Sequence, residues 1–117
     1  MYKVTQDAVT IAASGTDTSD AILFGTRVPD GFFSLQVTLT GSGTAKIEYQ
    51  LSNDGTDYLT PSSASDVVTT HTVSSGPGSD GKDIYKIESM VTRGMKIKVT
   101  ETGGANSITV TNTLVYL

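Results

Sequence analysis

The chain has 117 residues, 37% of them hydrophobic and 17% charged, with a net charge of −4. That length holds one modest core, and 19 Thr, 13 Ser and 12 Gly argue against helix, because Thr and Gly are poor helix formers. No run approaches the roughly 18 apolar residues of a membrane-spanning helix; the absence of cysteine removes disulfides, thiolate catalysis and Cys-based metal sites; and 8 scattered Lys and Arg against 12 acids disfavour nucleic acid.

From the N-terminus, Met1–Asp7 has no apolar stretch of the kind that opens a secretory signal. Residues 1–14 read as an N-terminal arm that includes a weak strand at 8–13, with Val9 and Ile11 inward. Asp17 and Asp20 fall in a segment that reads as a turn, and a second weak strand is expected at 21–28 through Ile22, Phe24 and Val28. Phe33–Thr40 alternates apolar and polar without a break, the period of a half-buried strand. Gly41-Ser42-Gly43 then reads as a hairpin into 45–51, where Ala45, Ile47, Tyr49 and Leu51 share one face. Asn53-Asp54-Gly55 is turn chemistry, since all three tolerate positive φ.

Further strands are expected at 66–73 (Val67, Val68, Val73) and 84–91 (Ile84, Tyr85, Ile87), separated by the Gly- and Ser-rich loop 74–81. Met95, Ile97 and Val99 define a strand at 95–100, and Gly103–Asn106 leads to the last run, 107–117. On that run Ile108, Val110, Leu114 and Tyr116 share a face that Asn112 interrupts, so a bulge or a strand-end bend is expected there. The run is uncharged and rich in β-formers, a hazard as an open edge, so it is expected to be central in its sheet, covered, or paired with another chain, with the central place favoured. The whole, residues 1–117, reads as one all-β domain: an antiparallel β-sandwich of about eight strands, jelly-roll-like, with immunoglobulin-like strand order left open.

Chemical motifs are sparse. Asn53, Asp54 and Asp57 offer oxygen ligands, but the spacing of a calcium loop and its closing Glu are missing, so a turn is the better reading. Asp80 and Asp83 beside Lys82 read the same way. His71, the one histidine, sits between threonines in a strand and reads as a surface residue. The three Glu (Glu48, Glu88, Glu101) suggest no shared cleft of the kind a glycosidase needs. No Gly-x-Ser-x-Gly elbow or phosphate loop is present. Phe24, Phe33 and Tyr49 read as core, whereas Tyr2, Tyr58, Tyr85 and Tyr116 are candidates for exposure. Tyr58, beside the 53–57 turn, is the ring to watch for sugar stacking.

Two segments carry a resemblance. Lys46–Tyr58, with Ser-Asn-Asp-Gly and an aromatic three residues on, and Arg93–Thr102, where an Arg precedes an alternating run, resemble galactose-binding-like domains of the discoidin kind. The core Trp and flanking cysteines of that group are absent, so its ligands do not carry over. Phe33–Thr40, Ser52–Gly55, Ser75–Asp83 and Val99–Val110 together resemble small structural proteins of tailed bacteriophages, over roughly 32–117. That resemblance implies a non-enzymatic virion component assembled in the bacterial cytoplasm: a capsid decoration or cement protein bound to the major capsid protein or other virion proteins and to itself, as a trimer or larger ring. It implies no cofactor, no metal, no membrane and no nucleic acid. A carbohydrate-binding module on a phage head or tail, and a head–tail or tail accessory protein, are the alternatives. Asn53, Asp54, Asp57 and Tyr58 are the expected glycan or partner contacts. Tyr2, Val4, Pro77, Asp80, Lys82 and Tyr116 are the expected assembly contacts.

Overall fold

A computed structural model describes residues 1–24, 31–62, 66–90 and 92–116, with 31 and 32 as backbone only. The described residues form nine strands and no helix: β1 (Tyr2–Ile11), β2 (Thr16–Thr18), β3 (Ile22–Leu23), β4 (Gly31–Gly41), β5 (Ala45–Ser52), β6 (Asp66–His71), β7 (Lys82–Ser89), β8 (Gly94–Glu101) and β9 (Ile108–Val115). Two antiparallel sheets face each other. One runs β1-β9-β4-β7; the other runs β2-β8-β5-β6, with β3 also on β8.

The pairing is nested. β1 pairs with β9, β2 and β3 with β8, β4 with β7, and β5 with β6. With β2 and β3 counted as two halves of one strand, the chain is a single long hairpin whose tip lies between β5 and β6. Rolling that hairpin brings β4 against β9 and β5 against β8, closing the two sheets. This is a jelly roll, and the immunoglobulin-like order is excluded.

The alternating runs supply the core. Phe33, Leu35, Val37 and Leu39 of β4 face Ala45, Ile47, Tyr49 and Leu51 of β5, with Met95, Ile97 and Val99 of β8 and Ile108, Val110 and Leu114 of β9, all buried. Truncating any of the large ones to Ala removes about 2–5 kcal/mol. β9 is central, flanked by β1 and β4, which hides its uncharged backbone edge.

Several expectations are corrected. Gly41-Ser42-Gly43 is no hairpin: β4 and β5 lie in different sheets, and the glycines form an arch between them. Gly41 has φ +97°, and a Cβ there would lie 2.7 Å from the Ser107 carbonyl, so the arch packs directly on the β8–β9 connection. Asn112 stays in register with Val37 of β4, and the irregularity expected at Asn112 lies in its other ladder, on either side of its pairing with Gln6, with the extra residues in β1 and not in β9. The slips fall between Val4 and Gln6 and between Gln6 and Val9. Asp17 lies in β2 and Asp83 in β7, each on a strand where a turn was expected. Ile84 points outward, 61% exposed. The strand expected at 21–28 is confined to Ile22–Leu23 in the described residues, and Val28 lies outside them.

Candidate functional site

Rolling the hairpin sorts its connections. The short arches at 12–15, 42–44, 72–81 and 102–107 gather at one end, and the described residues 53–62, 90, 92 and 93 belong to the other.

At the arch end, Glu101 continues the inward face of β8 and is buried. Its Oε1 accepts the backbone amides of Ser14 at 3.0 Å and Gly104 at 2.8 Å, and its Oε2 those of Thr44 at 2.9 Å and Gly103 at 2.7 Å. One carboxylate thus stitches three arches together. These amides, Thr44's foremost, hold its pKa down to about 2. Parity along β8 (95, 97, 99, 101) already marked Glu101 as inward-facing.

His71 corrects the surface reading: it is fully buried. The Gly81 carbonyl can only accept, so Nε2–H donates to it at 2.9 Å, and Nδ1 accepts the Tyr85 hydroxyl at 2.7 Å. Both ring nitrogens are thereby committed to closing β6 onto β7 and the 72–81 arch. Tyr85 is half-buried, and burial, aided by Asp83, raises its pKa. Of the expected assembly contacts, Pro77, Asp80 and Lys82 are exposed on this arch and at the start of β7. Asp80 accepts the Lys82 amide at 3.2 Å.

A further polar tie joins the sheets through β1. Gln6, inward between the two slips of β1, donates from Nε2 to the Ile97 carbonyl of the opposite sheet at 2.9 Å. Its Oε1 accepts Asn112 Nδ2 at 3.0 Å and Thr5 Oγ1 at 2.8 Å.

The opposite end holds the candidate site. Asp54 Oδ1 accepts the Ser52 hydroxyl at 2.9 Å and the amides of Thr56 and Asp57, both at 2.8 Å, while Gly55 donates to Ser52 Oγ at 2.9 Å. These bonds, Asp57's first, bring the Asp54 pKa to about 2. The turn holds the loop against an open groove of about 640 Å³. Leu51, Leu59 and Met90 give it an apolar wall; Asn53 and the acids Asp54 and Asp57 give it a polar rim; no basic residue lines it among the described residues. Leu59 is 67% exposed and Met90 58%.

Three of the four expected glycan contacts, Asn53, Asp54 and Asp57, therefore meet at this groove. Tyr58 does not line it. Its ring lies under the Lys96 ammonium, 4.5 Å from the centroid, and its buried hydroxyl has no hydrogen-bond partner among the described residues. Only glycine fits beside it at 94, where a Cβ would lie 2.5 Å from that hydroxyl. The sequence missed Leu59 and Met90; the available signal was a large apolar residue outside any alternating run. Tyr2 and Val4 are exposed on the edge strand β1 beside Val115. Tyr116 is half-buried, its ring packed edge-on against Phe24 at 5.2 Å.

No family model matches the chain, and no curated protein matches it in sequence. Solved structures share its fold. VP2 of the infectious bursal disease virus subviral particle superposes with a TM-score of 0.59 at 11% identity, over 97% of this chain and 31% of that one. The chain thus spans about a third of VP2. PirA matches at 0.53 and 19% identity, over 99% and 93%. The Aeromonas hydrophila periplasmic inhibitor of g-type lysozyme, PliG, matches at 0.51 and 11%, over 100% and 85%. At these identities the likeness establishes the sandwich architecture.

Proposed function

We propose that this chain is a non-enzymatic bacteriophage virion protein, a capsid decoration protein that binds the major capsid protein and stabilises the head. The observation that carries this reading is how the reactive-looking groups are used. Glu101 is saturated by backbone amides, both nitrogens of His71 are committed to the scaffold, and Asp54 Oδ1 closes a turn. What remains at the surface is contact material: Leu59 and Met90 at the groove, and Tyr2, Val4 and Val115 at the terminal corner. Large exposed apolar side chains that cluster mark interaction surfaces. The likeness in fold to VP2 of a subviral particle and to a lysozyme inhibitor is consistent with the reading. Purified virions of the encoding phage, labelled with gold-tagged antibody to the chain, test it. Regular labelling of heads is the expected result, and particles that lack the chain by mass spectrometry overturn it. Labelling at the neck or tail would instead select the head–tail or tail accessory reading.

The groove favours a second reading, a carbohydrate-binding module, because Asn53, Asp54 and Asp57 form its rim. The covered ring of Tyr58 weighs against stacking there. A glycan panel on which Asp57→Ala loses binding would select this reading.

A further inference from the structure

The groove end and the outer face of β7 are complementary. β7 is one of the two edges of its sheet among the described residues, and its outward positions are Lys82, Ile84, Lys86 and Glu88. Ile84 is 61% exposed on the sheet surface and flanked by two lysines. Strand geometry places each lysine about 7 Å from Ile84 along the strand, within reach of a long flexible side chain. The groove offers the converse: Leu51, Leu59 and Met90 as an apolar wall, Asp54 and Asp57 at the rim, and no base in the lining among the described residues. Asp54 is held in its charged form by its turn.

We propose that copies of this chain associate head to tail, Ile84 of one copy entering the groove between Leu59 and Met90 of the next, with Lys82 and Lys86 set against Asp54 and Asp57. The inference rests on the assembly reading above and names its surfaces. The two patches differ, so the contact is heterologous, and it repeats around a ring or along a filament. Groove against groove would oppose acid to acid. Edge pairing of two β7 strands is discouraged by Lys82 and Lys86 on the edge and by the inward-leaning Asp83, features that guard sheet edges.

Heterologous contact makes a specific mixing test available. Ile84→Glu destroys only the knob and Leu59→Glu only the groove. Both sites are exposed, and circular dichroism with thermal unfolding checks that each variant folds. Light scattering after size exclusion, at micromolar concentration, is expected to show wild type above monomer mass and each variant as a monomer. The equimolar mixture is expected to give a heterodimer and nothing larger, since one intact knob and one intact groove remain. Monomeric wild type, variants that keep the wild-type mass, or a mixture that stays monomeric would each overturn the proposal. A monomeric chain that still labels virions would remove this contact and leave the virion reading standing. A head-to-tail oligomer absent from virions would do the reverse.

Discussion

The Gln6–Asn112 pair offers the sharpest test of how the two sheets are held together. Gln6→Leu removes the cross-sheet bond to Ile97 and the acceptor for Asn112 Nδ2. The Ile97 carbonyl keeps a second donor, the Ser19 amide at 2.9 Å, so it is not orphaned. Asn112 fares worse. It is fully buried and its Oδ1 has no partner among the described residues, so losing Gln6 leaves its whole amide unsatisfied. An unsatisfied buried polar group costs about 1–3 kcal/mol and a lost hydrogen bond about 1. Gln6→Leu is therefore expected to lose about 3 kcal/mol, roughly 10 °C in Tm for a domain of this size. Asn112→Leu costs less, about 1 kcal/mol, because Gln6 Oε1 keeps Thr5 Oγ1 and its Nε2 keeps Ile97. The double variant orphans no side-chain amide and adds apolar volume, so it is expected within about 1 kcal/mol of wild type. Urea unfolding of all four proteins measures the cycle. Additive losses in the double variant would refute the view that the two amides act as one unit.

Three further outcomes follow from the same geometry. Glu101 has its folded pKa near 2 against an ordinary 4.5, so its stabilisation is present above about pH 4.5 and lost as pH falls toward 2; Glu101→Gln should flatten much of the acid limb of stability against pH, leaving the share of Asp54. Tyr58→Phe removes a buried hydroxyl that lacks a partner among the described residues, and thermal unfolding should show equal or higher stability, by about 1 kcal/mol. His71→Phe removes the bonds to the Tyr85 hydroxyl and to the Gly81 carbonyl, which keeps the Leu39 amide at 3.0 Å; a loss of about 1–2 kcal/mol, with faster amide exchange in the 72–81 arch, is the expected outcome.

Alternation made the faces of β4, β5, β8 and β9 legible, because a buried face needs period two whatever the topology. It says nothing about which sheet a strand joins. The glycines at 41 and 43 serve a hairpin or an arch equally well, and only the partners of β4, which are β7 and β9 and lie some forty or more residues on, decide between them. Polar residues at inward positions carried more information than their types suggested. Gln6, Asn112 and Glu101 all sit on core faces: Gln6 bonds across the sandwich, Asn112 bonds Gln6 within their sheet, and Glu101 bonds between the arches. His71 escaped for a different reason. β6 has a ragged burial pattern and two register irregularities against β5, so parity could not be read through it.

The nested pairing also bears on where a contact surface can form. At the arch end, a single buried carboxylate and a single buried imidazole fix the connections, and their backbone groups are consumed in doing so. At the other end lies the hairpin tip. There Asp54 orders one turn, and Leu59 and Met90 remain uncovered beside it. A loop whose polar groups are satisfied internally loses little conformational entropy on docking, and its exposed apolar groups gain by burial. The roll thus concentrates rigidity at one end and contact potential at the other. The groove is therefore the place where substitution should change association while leaving unfolding untouched, and the Glu101 cage the place where it should do the opposite.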